Sequence, residues 1–436
     1  MSEEDYVSED AFDAVVVGAG CAGSIAAYVL AKAGKSVLVV ERGNFAGAKN
    51  MTGGRVYTHS LRKIFPDFEG NAPLERKITH ERISLMSTDA NFTVDFTGQD
   101  LGKEGQESYS VLHAQFNPWL AEQAENEGAE FVYGIRVDDL IVRNGRVCGI
   151  KAGEDEIEAR VTILADGVNS LLAQKIGFAQ EASLGQMAVG AKELIELPEK
   201  VIQDRFQCAA GEGAAWLFVG GPTQGHVGGG FLYTNKDSIS IGLVATLSDL
   251  ITSEMPVYEM LDEFKKHPAI APVIEGGKTI EYSGHLISEG GYNMLPKMVG
   301  DGVLLAGDAA MLCMNLGYQV RGIDLAIASG EMAAESAIEA LDKGDTSEAA
   351  LSVYRTKMEN SFVLKDLKQF QKFPHWMEST KRMFTDYPDM VRDIMYSMFV
   401  VDGTPVEPVR KKAMRPVKEL GLWSLFKEVK GGVMSL

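Results

Sequence analysis

The stretch FDAVVVGAGCAG, residues 12–23, decides the fold of this chain. Phe12–Val17 is short, apolar and rich in valine, which predicts a buried strand. Gly18 permits a tight turn, Gly20 lets the backbone approach a pyrophosphate, and Gly23 lets the following helix pack close to the strand. The stretch therefore predicts a strand, a phosphate-binding turn and a helix that begins at the turn.

The next strand ends in a carboxylate and completes a βαβ unit of about 30 residues. The helix is expected to run to about Lys32 and to end at Gly34, and Ser36–Val40 is expected to form the strand. The helix N-terminus offers free N–H groups and a partial positive charge to phosphates. Glu41 can accept hydrogen bonds from both hydroxyls of an adenine ribose and would repel a 2′-phosphate. The unit therefore predicts FAD or NAD rather than NADP.

Two later strand ends favour FAD over NAD. Val161–Ala165 predicts a strand followed by Asp166-Gly167, and Val303–Ala306 predicts one followed by Gly307-Asp308. Carboxylates at this edge of a parallel sheet lie where ligands bind. Asp308 is expected to contact the ribityl or pyrophosphate part of a long cofactor, with a helix cap as the alternative. No second glycine fingerprint supports a separate nicotinamide domain.

Two further segments are expected to lie against the flavin ring. Ala48–Gly54 is a polar, glycine-rich loop, predicted either to cover the isoalloxazine or to be an ordinary surface loop. Asn315-Leu316-Gly317 lies just before a helix predicted over about Gly322–Lys343. Backbone N–H groups at that helix start are expected to stabilise negative charge on the reduced flavin.

A second lobe is predicted from about Met187 to Leu247. Alternating strands separated by glycine and polar turns predict an antiparallel sheet that forms the floor of a substrate site; the strands are Ala214–Val219, Gly229–Thr234 and Ser238–Ala245. Elsewhere, Asn117-Pro118 is expected to open a helix, with the asparagine as cap and the proline at the first position. Asn144-Gly145 predicts a two-residue hairpin turn.

Composition excludes several classes of protein. A chain of 436 residues is expected to have two or three lobes, and a net charge of −19 argues against a nucleic-acid binder. The N-terminal residues are acidic, the reverse of a signal peptide, and the uncharged run Ala14–Ala31 is interrupted by glycines, so it is not expected to span a membrane. Few cysteines in a long chain fit the reducing cytoplasm.

The cysteines and histidines offer no clustered ligand set. Four cysteines stand far apart, so neither an iron–sulfur nor a structural zinc site is expected within one stretch. Cys21 and Cys313 fall in the expected cofactor loops, where we interpret them as small packing residues rather than redox groups. We predict no metal site and assign no catalytic side chain, because the expected chemistry belongs to the cofactor.

The last stretch, residues 410–436, reverses the overall charge. It holds seven basic and two acidic residues. The basic residues alternate with apolar ones, which are Val417, Leu420, Trp423, Leu425 and Phe426. The pattern is typical of a helix that lies on a membrane surface, and a solvated helix or a subunit contact are the alternatives.

Five sequence blocks together resemble one known family. They are GAGCAG (18–23), ERGNFAGAKNMTGGR (41–55), ADGVNS (165–170), GGFLYTN (229–235) and GDAAMLCMNLGYQVRG (307–322). The resemblance is to the electron-transfer-flavoprotein:quinone oxidoreductases, above all the Fix-type dehydrogenase subunit, and also to the related geranylgeranyl reductases. It covers about residues 12–436.

The resemblance implies an α/β fold with a Rossmann-like FAD-binding domain of the glutathione-reductase and PHBH type. It assigns residues 1–80, 106–180 and 285–345 to this domain, 81–105 and 181–284 to an antiparallel substrate (quinone) domain, and 346–436 to a helical C-terminal region. It also implies that electrons pass from an electron transfer flavoprotein (ETF) through FAD toward quinone.

The chain departs from the family pattern in three places. Mitochondrial-type relatives carry a C-terminal ferredoxin domain, which this chain lacks, so the resemblance implies a separate small ferredoxin-like iron–sulfur partner. His113 stands where relatives usually have an arginine that contacts the flavin pyrophosphate, and a neutral histidine would weaken that charge assistance. Met311 replaces a common glycine, which puts the local backbone path in question.

These arguments define an expected set of FAD contacts and two rival functions. The set is Gly18, Ala19, Gly20, Ala22, Gly23, Glu41, Arg42, Thr52, Gly53, His113, Val137, Asp166, Gly167, Gly307, Asp308, Asn315, Leu316 and Gly317. Because fold does not determine function, a lipid reductase of the geranylgeranyl type or a flavin monooxygenase remains one alternative. A non-catalytic, flavin-bearing subunit of a larger complex is the other.

Overall fold

Two large β-sheets organise the molecule. A computed structural model describes residues 7–50 and 53–436. The strands in this part of the chain are β1 (Phe12–Val17), β2 (Val37–Glu41), β3 (Gly54–Tyr57), β4 (Leu74–Met86), β5 (Asn91–Thr97), β6 (Ser108–Val111), β7 (Glu130–Tyr133), β8 (Asp139–Arg143), β9 (Arg146–Ala152), β10 (Asp155–Leu164), β11 (Met187–Glu196), β12 (Glu212–Gly220), β13 (Gly228–Thr234), β14 (Ser238–Thr246), β15 (Lys278–Ser288), β16 (Val299–Gly300), β17 (Val303–Leu305), β18 (Met314–Asn315) and β19 (Val320–Arg321).

Helices pack against both sheets and make up most of the last quarter of the chain. They are α1 (Cys21–Lys32), α2 (His59–Ile64), α3 (Phe68–Asn71), α4 (His113–Asn126), α5 (Leu171–Lys175), α6 (Glu199–Phe206), α7 (Leu247–Leu250), α8 (Val257–Lys266), α9 (Ala271–Ile274), α10 (Ile323–Lys343), α11 (Glu348–Leu351), α12 (Val353–Asn360), α13 (Phe362–Gln369), α14 (Phe373–Ser379), α15 (Asp386–Phe399), α16 (Val409–Leu420) and α17 (Leu422–Ser435).

The first sheet confirms the βαβ unit. Its strand order is β16-β17-β10-β1-β2-β7, and β1 pairs in parallel with both β10 and β2. The apolar residues of β1 and β2 are buried, as expected for central strands of a parallel sheet. Helix α1 packs between this sheet and α10, because Gly330 lets the two helices approach closely: a Cβ on Gly330 would lie 2.3 Å from Ala22 O. The parallel strand ends therefore meet at one edge, in front of α1.

Strand β10 serves two pairings. Residues 155–158 pair antiparallel with β9, and residues 159–164 pair parallel with β1. The β8–β9 hairpin turns at Asn144 (φ 51°) and Gly145 (φ 84°), which confirms the predicted two-residue turn. This arrangement brings Asp166, just after β10, to the same edge as Glu41.

The second sheet is mixed rather than purely antiparallel. Its order is β15-β11-β14-β13-β12-β4-β6-β3, with β5 paired to β4. The antiparallel prediction is confirmed for β11, β12, β13 and β14 but is wrong at β12–β4, which pair in parallel. Sequence periodicity cannot reveal this partner, because β4 lies more than a hundred residues earlier in the chain. The expected domain boundaries at 80 and 284 fall inside β4 and β15.

Helix α4 begins five residues earlier than predicted. It starts at His113, and the N–H groups of Gln115 and Phe116 donate to Leu112 O at 2.9 and 2.8 Å. Pro118 therefore lies inside the helix, where its missing N–H costs one intrahelical hydrogen bond. Asn117 is fully buried and accepts a hydrogen bond from Cys21 Sγ at 3.2 Å, so it holds α4 against α1 instead of capping.

The C-terminal region is helical, as predicted. The stretch from residue 409 onward forms α16 and α17, with Gly421 (φ 89°) between them. Helix α17 docks on α14, since Trp376 Nε1 donates to Glu428 O at 3.0 Å. Among the helices of residues 7–50 and 53–436, none combines the length and apolar character that crossing a membrane requires.

Candidate functional site

Three adjoining cavities run along the edge of the first sheet toward the second. The strand-end cavity, of 350 Å³, has among its lining residues Gly18, Gly20, Glu41, Arg42, Val137, Asp166 and Gly167. The middle cavity, of 240 Å³, is lined by residues including Gly20, Ala22, His113, Gly307 and Asp308. The sheet cavity, of 250 Å³, is lined by residues including Gly53, His113, Phe231, Glu289, Asn315 and Gly317. Neighbouring cavities share lining residues, so the strand-end and middle cavities form a continuous line that the sheet cavity adjoins.

The three fingerprint glycines have different structural roles. Gly18 has φ 99°, and a Cβ there would lie 2.4 Å from Ala165 O. A Cβ on Gly23 would lie 1.9 Å from Gly18 O, so this residue allows the helix to touch the turn. Gly20 is open: the nearest atom to a Cβ would be Asn50 Nδ2 at 3.8 Å. Because α1 also has no side-chain cap, its N-terminal end is free for a phosphate group.

Glu41 is held in place by backbone donors. Its carboxylate is 7% exposed; Oε2 accepts from Ala19 N–H at 2.8 Å and Oε1 from Gly43 N–H at 2.6 Å. A carboxylate has about four acceptor positions, so two bonds leave capacity for ribose hydroxyls. The Ala19 amide is committed to this bond, and it orients Glu41 toward the strand-end cavity.

Two aspartates lie along the line of cavities. Asp166 Oδ1 is buried and has no partner among the described residues, and burial raises the pKa of this carboxyl to about 6. Burial also raises the pKa of Asp308, and nearby His285 opposes that shift. Buried oxygens without partners are costly unless a ligand donates to them. The hydroxyl groups of FAD would supply such a donor to Asp166 in the strand-end cavity, so this residue fits the expected cofactor.

His113 is half-buried and lines both the middle and the sheet cavities. Burial, together with the nearby Lys192 ammonium group, lowers the pKa of His113 to about 4. The imidazole is therefore neutral at pH 7 and brings no positive charge to a pyrophosphate. This agrees with the weaker charge assistance expected for a histidine at this position.

Lys192 is a site residue that sequence reasoning missed. It lies on β11, is fully buried, and donates from Nζ to Gly53 O at 2.7 Å. Burial lowers its pKa to about 7, opposed by Glu281. The bond anchors the loop predicted to cover the flavin at Gly53; Thr52 lies outside the described residues. The sequence signal was a lysine in a strand that also contains Glu193 and Glu196, which is too weak to identify a contact 139 residues away.

Met311 confirms that the backbone path here suits glycine. The residue has φ 58° and ψ 34°, in the left-handed region, and its side chain is buried. A non-glycine residue in this conformation costs about 1–2 kcal/mol. The turn after Asp308 therefore has the backbone conformation that favours glycine, and Met311 is strained in it.

The segment 315–317 does not begin a helix. It forms part of a short β18–β19 hairpin, and α10 starts only at Ile323. The N–H of Leu316 donates to Gln319 O at 2.9 Å and that of Gly317 to Asn315 Oδ1 at 2.9 Å. The helix predicted from about Gly322 thus begins within one residue of the expected place, after a hairpin in which the Leu316 and Gly317 amides are engaged, and Asn315 and Gly317 line the sheet cavity.

Both cysteines near the cavities are protonated thiols. Cys21 Sγ donates to Asn117, and burial raises its pKa to about 12. Burial and nearby carboxylates raise the pKa of Cys313 well above its usual value. Across residues 7–50 and 53–436, no group of three or more His, Cys, Asp or Glu side chains is arranged to hold a metal ion.

The sheet cavity is apolar and has a flat floor. Gly228, Gly229 and Gly230 of β13 form part of its wall, beside Phe231. Residues of the C-terminal region close another side; they are Met377, Met383 and Phe384. A wall without side chains next to aromatic and sulfur-containing groups accommodates a planar apolar ligand.

Three family descriptions match the chain. Residues 11–206 match the FAD binding domain. Residues 187–287 match the ubiquinone-binding domain of the electron transfer flavoprotein-quinone oxidoreductases (ETF-QO). Residues 373–436 match the ETF-QO/FixC family C-terminal domain. The second match contains β11 to β15, the strands that supply the floor of the sheet cavity.

Curated relatives match over nearly the whole chain. Protein FixC of Salmonella typhi is 51% identical over 430 residues, covering 99% of this chain and 100% of the relative. The probable electron transfer flavoprotein-quinone oxidoreductase YdiS of Escherichia coli is 50% identical, covering 98% and 99%. These identities confirm the family that the five sequence blocks predicted.

Solved structures confirm the fold. A geranylgeranyl bacteriochlorophyll reductase-like protein from Thermoplasma acidophilum has a TM-score of 0.69 at 20% identity, covering 94% of this chain and 98% of its own. The flavin-dependent brominase Bmp2 has a TM-score of 0.62 at 16% identity, covering 94% and 99%. Likeness at these identities concerns architecture alone. The sequence matches over the full length establish that this chain belongs to the ETF-QO/FixC family of FAD-dependent oxidoreductases.

Proposed function

We propose that the chain takes electrons from an electron transfer flavoprotein and passes them through FAD to a quinone. FAD supplies the two-electron carrier, and the chain's own residues bind and orient it and exclude water. The single observation that carries this proposal is the apolar sheet cavity, which adjoins the dinucleotide line through His113, Gly53 and Ile287.

The shape of the sheet cavity supports a planar, apolar electron acceptor. The glycines of β13 give the cavity a wall without side chains, and neither Gly228 nor Gly229 has room for one, because a Cβ would lie 2.0 or 2.7 Å from a carbonyl oxygen of a neighbouring strand. A quinone headgroup on this surface would keep its isoprenoid tail toward Met377 and Phe384. The relative named as a probable electron transfer flavoprotein-quinone oxidoreductase supports the same acceptor.

The proposed FAD contacts follow the three cavities. Gly20 and the start of α1 would face the pyrophosphate, Glu41 the adenine ribose, and Asp308 the ribityl chain. The remaining expected contacts within the described residues line the same cavities, except Ala19, Gly23 and Leu316, which are not among the lining residues.

A small ferredoxin-like protein is proposed as a second partner. The four cysteines are dispersed, and three of them are buried, so a cluster would need ligands from another protein. The resemblance to Fix-type subunits motivates this partner, and co-purification with such a protein tests it.

Peripheral contact with the cytoplasmic membrane is proposed for α16 and α17. Trp423, Phe426 and Val433 are 69%, 56% and 69% exposed while basic residues flank them. Because Trp376 anchors the other face of α17, these side chains are directed outward. Sedimentation with anionic lipid vesicles, lost at high salt and in Trp423→Ser, would support membrane contact, and no sedimentation would favour a protein partner.

Reconstitution tests the central proposal. Flavin-loaded protein is mixed with reduced ETF and a soluble quinone analogue, and hydroquinone formation is followed optically. Formation that requires both ETF and this chain supports the proposal. Flavin that ETF never reduces, or that reduces no quinone, contradicts it; turnover of a lipid alkene would favour the reductase alternative.

A further inference from the structure

Among the described residues that line the sheet cavity, Glu289 is the one that carries a carboxyl group. It directly follows β15, and its backbone N–H donates to Gln186 O at 2.8 Å. Asn315 Nδ2 lies 3.3 Å from Glu289 Oε2 and 3.5 Å from Oε1. A backbone bond and an amide side chain therefore hold this carboxyl group at the cavity wall.

The pKa of Glu289 allows its carboxyl group to release and take up a proton at neutral pH. Burial raises the pKa of this carboxyl to about 7, and Asn315 opposes the shift. A general acid that must be reprotonated after each proton transfer works best when its pKa lies near the working pH. Glu289 is also partly accessible, so the cavity can connect it to a ligand or to water.

The other titratable groups near the sheet cavity are poorly suited to donate a proton at neutral pH. The pKa of His113, on α4, is about 4, so it has no extra proton to give. Burial raises the pKa of Tyr233, on β13, and of Cys313, which Glu289, Asp308 and Asp324 raise further. These last two groups hold their protons too tightly at neutral pH.

The two arginines of the cavity are engaged elsewhere. Arg55, on β3, donates to Ser108 Oγ at 2.9 Å and pairs with Glu81. Arg321, on β19, donates to Asp324 at 2.8 Å and to Asp366 at 2.8 Å. Guanidinium groups keep their protons in proteins, so they contribute charge rather than a transferable proton.

We propose that Glu289 is the acid that donates a proton to a carbonyl oxygen of the quinone in the sheet cavity, with Asn315 as its positioning residue. This inference rests on the proposed function. Reduction of a quinone to its hydroquinone takes two electrons and two protons. FAD, when bound in its reduced state, would supply the two electrons and one proton.

Glu289 supplies the second proton. Its O–H bond breaks as the O–H bond of the hydroquinone forms, and the carboxylate regains a proton from solvent water. Above the pKa of the carboxyl the donor is lost, so quinone reduction is expected to slow as the pH rises through about 7.

The test compares two oxidants of the pre-reduced protein in rapid-mixing experiments. A quinone analogue needs protons, whereas ferricenium accepts an electron without one. Glu289→Gln is expected to slow reoxidation by the quinone about 100-fold, the usual range for loss of a general acid, and to abolish the pH dependence. Reoxidation by ferricenium is expected to be unchanged. Glu289→Asp should recover part of the quinone rate, and the exposed Glu275→Gln serves as the matched control.

A second readout does not depend on turnover. Infrared difference spectra of the flavin-loaded protein should show a protonated carboxyl band that titrates near pH 7 and disappears in Glu289→Gln. An unchanged band, an unchanged quinone rate, or equal slowing with ferricenium would overturn the assignment of Glu289. Failure of the wild type to reduce quinone at any pH would instead overturn the proposed function.

Discussion

The strand-end cavity and the sheet cavity are both lined by residues from distant segments of the chain. They differ in how many of their key lining residues come from a single continuous segment. At the strand-end cavity, Gly18, Gly20 and Glu41 come from a single βαβ unit, and the geometry follows from local chain sterics. The sheet cavity combines β13, the end of β15, the β18–β19 hairpin and α14. The comparison teaches that cofactor recognition here is local, whereas the acceptor site depends on packing between distant segments.

The sharpest test of the local site separates two glycines of the same turn. Gly20→Val is expected to abolish FAD binding and leave a colourless, folded protein, because only Asn50 approaches a Cβ there, at 3.8 Å. Flavin absorbance and thermal unfolding measure the two effects.

Gly23→Ala is the matched control for that test. Its Cβ would lie 1.9 Å from Gly18 O, so this variant should lose stability as well as flavin. A fully flavinated Gly20→Val protein would break the assignment of the pyrophosphate.

The next effect concerns the ribose end of the strand-end cavity. Glu41→Ala is expected to weaken FAD binding by roughly 1–3 kcal/mol, the scale of hydrogen bonds to a charged group. Titration of apoprotein with FAD gives the dissociation constant. Glu41 also accepts from the Ala19 and Gly43 amides, so Glu41→Gln, which keeps the size of the side chain but only one of these two acceptors, separates loss of charge from loss of the side chain. Unchanged affinity in both variants would place the ribose elsewhere.

A third substitution changes the sheet cavity without touching the cofactor line. Val320 lines this cavity, and Val320→Trp is expected to fill its mouth and raise the KM for a quinone analogue roughly tenfold, about 1.4 kcal/mol. FAD content should stay at the wild-type value. Val142→Trp, on β8 and outside the three cavities, is the control. Loss of flavin in Val320→Trp would show that the two cavities are not separable.

The smallest effect at neutral pH concerns the buried Lys192, which joins β11 to the loop before β3. In the folded protein, burial lowers the pKa of Lys192 from 10.5 to about 7. Between these values the unfolded chain binds more protons than the folded one, so the free energy of unfolding rises with pH. Lys192→Met lacks this contribution.

Urea unfolding at about pH 7 and about pH 9 checks that prediction. The stability of the wild type should increase relative to Lys192→Met at the higher pH. A constant difference between the two proteins would mean that Lys192 is not buried as a neutral amine near pH 9.

The sequence alone determined the FAD-binding architecture, because its signals are local. The spacing of Gly18, Gly20 and Gly23, the valine-rich strand before them and Glu41 after the next strand each act through contacts within one βαβ unit. The helical C-terminal region and the hairpin turn at Asn144-Gly145 were predictable for the same reason. The family resemblance came from blocks of this kind.

Only the tertiary structure decided the parts that depend on long-range packing. The parallel pairing of β4 with β12, the hydrogen bond from Cys21 to Asn117 and the bond from Lys192 to Gly53 join segments far apart in the chain. The pairing of Glu289 with Asn315 is of the same kind, and it arises because β15 and the β18–β19 hairpin meet at one cavity. Periodicity and propensity report on neighbours along the chain. The proton affinity of a buried side chain instead depends on what surrounds it in three dimensions.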